Sequence, residues 1–238
     1  MTGVQTCALP IYALLSRYGY CSRREAPGWI KRHSITFKGE PCSAPTDKVQ
    51  AEGILLDGEP VEFPDGLYAA LYKPAGYTCS HDDREGDVIY DLLPFQWRHR
   101  NPAVSSVGRL DKETSGLLLI TDDGKFIHRM TSPRHHVAKV YEAVTEEDIP
   151  AEAVELFASG TFTLNGEDRP CAPAVLEILE PRRARLTLTE GKYHQVRRML
   201  AAVGAPVASL CRISIGSLHL DSLNLEPGEW MPIRPDAL

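Results

Sequence analysis

The 238-residue chain has no apolar run long enough to span a bilayer, which argues against an integral helical membrane protein. It has no C-x-x-C pair either. Its six cysteines, Cys7, Cys21, Cys42, Cys79, Cys171 and Cys211, are scattered. That spacing argues against a zinc site and suits reduced thiols in a cytoplasm. Positive charge is in deficit overall, with a formal balance of −6 at pH 7, so a nucleic-acid coat protein is a poor fit. Low-complexity tracts are missing, and the only repeat is a pair of Gly-Glu-Pro turns at Gly39–Pro41 and Gly58–Pro60. What remains is ordinary for a globular protein: 43% hydrophobic and 24% charged residues, enough for one large domain or two smaller ones.

The charge deficit hides local patches. Between Ser16 and Lys38 stand Arg17, Arg23, Arg24, Lys31, Arg32 and Lys38 against one acid, Glu25. From Asp47 to Asp65 the balance reverses, and a second basic cluster runs from Arg182 to Arg198. A phosphate backbone responds to patches rather than to the average, so RNA stays a candidate partner. The first eleven residues, MTGVQTCALPI, lack the basic start and long apolar centre of a signal peptide. They resemble translated adapter sequence and are set aside as a non-native start.

YALLSRYGY reads as a short helix stopped near Gly19. CSRREAPGWIKRH begins a second, with Ser22 and Glu25 spaced as a capping box. Pro27 within it predicts an interruption, since a proline inside a helix costs roughly 3 kcal/mol. SITFKGEP and GILLDGEPVEF read as short strands, and Pro64-Asp65-Gly66 as a domain boundary. Strands then alternate with helices: LYAALYKP, AVSSVGRL, Leu117–Thr121, KVYEAVT, AVLEIL and ARLTLTEG against GKFIHRMTSP, AEAVELFAS and HQVRRMLAAVG. In the last of these Val196, Met199, Leu200 and Val203 share one face, and Gly204 stops it. Tight turns between several strands favour an α+β fold.

Three segments carry candidate chemistry. GRLD places Asp111 in a loop entering the apolar run, where a scaffold can hold a polar group still. KVYEAV holds Tyr141 in mid-strand, and EGKYHQVRRM clusters Lys192, Arg197 and Arg198 at a helix start. Taken singly, each has an ordinary reading: a turn aspartate, a packing tyrosine with a wet hydroxyl, a solvated basic face.

In this order, G-R-L-D-x-x-T-x-G-L-L-L, K-x-Y and G-K-Y-H-Q-V-R-R-M resemble the pseudouridine synthases, most of all the small-subunit ribosomal RNA branch (RsuA-type). The N-terminal SRREA, SITFKGEP and ILLDGEPV look like the S4 RNA-binding module often fused to that branch. The resemblance implies an α+β fold with a largely antiparallel sheet flanked by helices, an S4-like module at 12–63 and a catalytic domain at 67–238. It implies isomerisation of uridine to pseudouridine in ribosomal RNA by a cytoplasmic monomer, without cofactor or metal, on a small-subunit assembly intermediate. Asp111 matches the catalytic aspartate, Tyr141 the active-site tyrosine and Arg197 the arginine paired with the aspartate. Arg109, Lys73, Lys192 and Arg198 are expected to contact RNA, with Arg17, Arg23, Arg24, Lys31, Arg32 and Lys38 gripping it from the module. The interruption at Pro27-Gly28 departs from the S4 pattern.

The residue types suit that chemistry. A carboxylate can act as nucleophile or stabilise an oxocarbenium-like centre. A guanidinium beside it favours the ionised form, and an aromatic ring offers a face to a flipped base. A large-subunit RNA synthase of the same branch and a silent S4-type binding protein are the alternatives. A glycoside hydrolase would need Asp122 or Asp123 as partner to Asp111, about eleven residues along an extended strand at roughly 3.3 Å each, too far for a paired carboxylate.

Overall fold

The computed structural model describes residues 7–237, divided between two units. The reading of residues 1–6 as non-native lies outside the described residues. One unit gathers Met1–Tyr68, Leu93–Ser105 and Ile120–Gly124, and the other Ala69–Leu92, Ser106–Leu119 and Lys125–Leu238.

The first unit contains β1 (Leu9–Pro10), α1 (Ile11–Arg17), α2 (Ala26–Ile30), β2 (Ile35–Phe37), β3 (Glu40–Pro41), β4 (Lys48–Val49), β5 (Ile54–Leu56), β6 (Glu59–Pro60) and α3 (Phe95–Arg98). A four-stranded sheet runs β3-β2-β5-β6. Both its hairpins turn on two consecutive positive φ values, Lys38 (53°) with Gly39 (88°) and Asp57 (53°) with Gly58 (89°). That geometry matches strand twist, and it explains the repeated Gly-Glu-Pro: the proline, lacking an N–H, falls on an edge strand each time. Ile11, Leu14, Leu15, Ile30, Ile35, Val49, Ile54 and Leu56 bury their side chains in one core. Leu9–Pro10 pair with Lys48–Val49, so residues 9–11 of the string set aside are built into the fold.

Pro27 does not interrupt a helix. Ser22 and Glu25 exchange the expected bonds, the Ser22 N–H donating to Glu25 Oε2 (3.0 Å) and the Glu25 N–H to Ser22 Oγ (3.3 Å). The helix proper starts only at Ala26, which puts Pro27 in its first turn, where no N–H is needed.

Segments far along the chain complete this unit. Arg100 is buried and donates to Asp122 Oδ2 (2.9 Å), Glu62 O and Phe63 O (both 3.2 Å), while its guanidinium lies 4.9 Å from the Tyr18 ring centroid. A buried guanidinium needs such partners. Gly19, at φ 81°, packs so tightly that a Cβ there would meet Gln96 O at 2.1 Å.

The second unit is built on a nine-stranded sheet with main path β11-β12-β10-β13-β9-β7-β15. In chain order its elements are β7 (Tyr68–Lys73), β8 (Ser105–Ser106), β9 (Thr114–Thr121), α4 (Gly124–Thr131), β10 (Lys139–Thr145), α5 (Ala153–Ala158), β11 (Val175–Glu180), β12 (Arg183–Leu188), α6 (Gln195–Ala202), β13 (Val207–Ile215), β14 (Leu218–His219) and β15 (Trp230–Pro232). β10 is antiparallel to β12 and β13, whereas β13 and β9 run parallel. The expected AVSSVGRL strand shrinks to β8, because from Gly108 (φ 72°) the chain turns into a loop. α6 buries Val196, Met199 and Leu200 against Phe157, Leu176, Leu186 and Leu210, with Val203 packed on the same cluster. No helix among the described residues is long and apolar enough to cross a membrane.

Candidate active site

The loop after Gly108 is fixed from several sides. Its Asp111 carbonyl accepts the Thr114 N–H (3.0 Å) and its Lys112 carbonyl the Gly76 N–H (2.8 Å). Lys73, fully buried, donates to Pro74 O (3.0 Å), Lys112 O (3.1 Å) and Thr114 O (2.7 Å). The ammonium therefore clamps the turn that carries Asp111, and burial removes it from RNA contact, contrary to the expectation for Lys73. Burial pushes its pKa down to about 8, against Cys79, Glu113 and Asp111, which favour the charge.

Lys73→Met keeps the length and leaves three carbonyls without their donor, the Thr114 one fully buried, at up to about 1–3 kcal/mol each. A loss of several kcal/mol in denaturant titration is expected, with activity falling alongside. Between pH 8 and the ordinary lysine value of 10.5 the folded chain holds fewer protons here than the unfolded one. The contribution to stability thus rises with pH across that window, and the native-minus-variant difference should grow there. A difference that stays flat would contradict this placement of the ammonium.

Asp111 opens onto a cavity of about 350 Å³ lined also by Arg109, Tyr141, His194 and Arg212. The sheet builds its floor. Tyr141 on β10 pairs in register with Arg212 on β13, and Arg212 with Gly116 on β9. A register shift between Val140 and Tyr141 leaves Ile213 as an extra residue on β13. Such a bulge re-aims neighbouring side chains. Gly116 is glycine for a reason of contact: at φ 110°, a Cβ there would meet Arg212 O at 2.3 Å and Arg212 N at 2.5 Å.

Arg212 is 2% exposed. Its Nε donates to Leu117 O (2.8 Å), and its guanidinium carbon lies 6.0 Å from the Tyr141 ring centroid. Its Nη2 has no hydrogen-bond partner among the described residues, nor does the buried Thr114 Oγ1, which lines the same cavity. A buried polar group left unpaired calls for a partner, whether water, ion or ligand group. Lys139, on the cavity wall, has its pKa lowered by burial and then by Arg212. The floor is cationic, and Asp111 sits at its rim.

Arg197 is not part of this group. Its Nη1 donates to Val207 O (3.2 Å) and its Nη2 to Glu113 O (3.0 Å), and no hydrogen bond or ion pair joins it to Asp111 among the described residues. Lys192 and Arg198 are likewise engaged. Lys192 Nζ donates to Arg169 O (2.7 Å) and Pro170 O (3.3 Å), and Arg198 to Glu167 Oε1 (2.9 Å), Tyr193 O (3.0 Å) and Asn165 O (2.6 Å). Lys192 and Arg198 therefore brace a loop, while Arg182 and Arg185 of the same cluster stay exposed. Asp122 and Asp123 are structural too, accepting from Arg100, the Leu67 N–H and the Tyr68 hydroxyl, which removes them as partners for Asp111.

Two residues of the cavity lining, Arg212 and His194, are not among those the sequence singles out. The signal for Arg212 is an arginine inside the alternating apolar run SLCRISIG, which has the period of a strand. His194 lay inside the motif already noted; its ring reaches Asp111, with Nε2 at 3.4 Å from Oδ1.

A protein-family profile described as RNA pseudouridylate synthase matches residues 67–202. The chain is 40% identical over 221 residues to ribosomal small subunit pseudouridine synthase A of Escherichia coli (strain K12), spanning 91% of this chain and 93% of that one. It is 38% identical over 219 residues to the protein of the same name from Pasteurella multocida (strain Pm70), with 91% and 92% covered. A crystal structure of a pseudouridylate synthase matches with a TM-score of 0.67 at 35% identity, over 96% of this chain and 97% of that one.

Proposed function

The chain belongs to the RNA pseudouridylate synthase family, and from that premise we propose that it converts one uridine of small-subunit ribosomal RNA to pseudouridine with Asp111 as the reacting carboxylate. The observation that carries this reading is the cavity that brings Asp111, Tyr141 and Arg212 together. In the reaction the C1′–N1 bond breaks, the uracil turns, and C1′ joins C5. The C5 proton leaves and N1 gains one, so mass and oxidation state are unchanged and no cofactor is called for. Asp111 supplies the negative charge needed at the separating sugar and base. Tyr141 offers its ring to the flipped base, and the unpaired Nη2 of Arg212 holds the carboxylate or a uracil carbonyl.

RNA is gripped by the first unit. Arg17, Arg23, Arg24, Lys31, Arg32 and Lys38 are all exposed there, as phosphate contacts require. We read residues 12–63 as an S4-like RNA-binding module and 67–238 as the catalytic domain. Arg109, exposed on the cavity wall, is placed for a phosphate near the target. The substrate is a small-subunit assembly intermediate, met by a monomer in the cytoplasm.

The test maps pseudouridines in ribosomal RNA from a strain lacking the gene, as carbodiimide-adduct stops in primer extension. One stop should vanish from the small-subunit RNA and return on complementation. Loss from large-subunit RNA would reassign the substrate, and an unchanged map would remove the proposed activity.

A further inference from the structure

The loop before α6 is braced from within. Glu190 Oε1 accepts the Ala172 N–H (2.9 Å) and Gln195 Nε2 (2.7 Å), and Gln195 Oε1 accepts the Lys192 N–H (2.8 Å). Lys192 and Arg198 add their bonds to backbone carbonyls. Yet the ring at its tip faces outward. Tyr193 is 70% exposed, and its ring stacks on His194 at 3.9 Å between centroids and 16° between planes. His194 takes the left-handed conformation (φ 48°, ψ 36°), a costly one for a residue with a Cβ. That backbone lays the imidazole between Tyr193 and Asp111.

We propose that Tyr193 and His194 form a stacking lip that receives the base flanking the target uridine and, through His194, orients Asp111 as the RNA seats. This rests on the reading of the cavity as a pseudouridine synthase site. A single exposed aromatic is ordinary on a protein surface. This one lies on the rim of the reaction cavity, parallel to a second ring whose far edge meets the reacting carboxylate. The target base must leave its stack to reach Asp111, and its departure exposes the face of a neighbour. Tyr193 supplies a replacement face of the kind single-stranded RNA bases use. Tyr141, inside the cavity beside Arg212, is placed for the target itself, so the two tyrosines take different bases.

The test is a chemical double-mutant cycle on a synthetic small-subunit RNA fragment carrying the mapped uridine. Single-turnover conversion is measured for the native chain and Tyr193→Ala, on intact RNA and on RNA with an abasic site immediately 5′ or 3′ of the target. Tyr193→Ala should cost about tenfold on intact RNA, the size expected of one base–aromatic stack. One of the abasic RNAs should cost the native chain a similar factor, and the two changes together no more than either alone. Tyr193→Phe should restore the rate. For His194 as a positioning residue, His194→Ala should slow conversion at saturating enzyme while RNA affinity holds, and His194→Gln should recover part of the loss. Costs that multiply at both abasic positions, or a Tyr193→Ala chain at the native rate, overturn the lip. Native chain that leaves intact RNA unconverted overturns the proposed reaction instead, a distinguishable result.

Discussion

Asp111→Asn should abolish pseudouridine formation, by about 10⁴-fold or more, while RNA affinity and thermal stability stay close to the native values. The substitution keeps the shape of the side chain and removes its charge and nucleophilicity. Stability should hold because the Asp111 side chain is a third exposed, and its one ion pair among the described residues is with His194 at 3.4 Å. What holds the loop is backbone, through the carbonyls of Asp111, Lys112 and Thr114, and none of those bonds needs the carboxylate. RNA affinity should hold because the substitution leaves every exposed cation in place, Arg109 included. The experiment measures tritium release from C5-labelled ribosomal RNA next to filter binding and melting on the same preparation. Folded Asp111→Asn that binds RNA and still makes pseudouridine at the native rate would take Asp111 out of the mechanism.

The sequence made local features legible where local chemistry decides them. The capping pair Ser22 and Glu25, the apolar face of α6 and the span of β10 follow from spacing of a few residues, and they stand where spacing puts them. Pro27 was misread because a helix start is uncertain by a few residues, and that shift decides whether a missing N–H matters. Two residues of the cavity lining were legible: Asp111 and Tyr141 sit in motifs whose neighbours fix their placement. Arg197 stands in the motif-rich segment and on α6 reaches the carbonyls of Glu113 and Val207, whereas Arg212 lines the cavity. Arg212 comes to the cavity through a parallel pairing with Gly116, 96 positions earlier in the chain, and a bulge at Ile213. No local pattern encodes a pairing over that separation. Lys73 shows the converse error: a lysine beside a catalytic loop suggests a substrate contact, whereas three carbonyls and full burial make it part of the frame.

Arg212→Lys should lower turnover by about 100-fold or more, and Arg197→Lys by less than about tenfold. The two arginines share a charge and differ in what their forks do. Arg197 spends both terminal nitrogens on carbonyls, a task a lysine ammonium can partly take over. Arg212 fixes its plane with Nε on Leu117 O and keeps Nη2 buried and unpaired among the described residues. An ammonium cannot hold that carbonyl and present a second donor in the same plane. The loss of one pre-oriented donor in a dry site costs about 10²–10³ in turnover. Stability separates this from a packing defect. Arg212→Met removes one buried bond, to Leu117 O, and leaves that carbonyl unpaired. It should therefore lose activity as deeply as Arg212→Lys while losing only about 1–3 kcal/mol of stability. An Arg212→Met chain that is unstable in proportion to its lost activity would make Arg212 a structural residue. An Arg197→Lys chain impaired more deeply than Arg212→Lys would return the carboxylate's partner to α6.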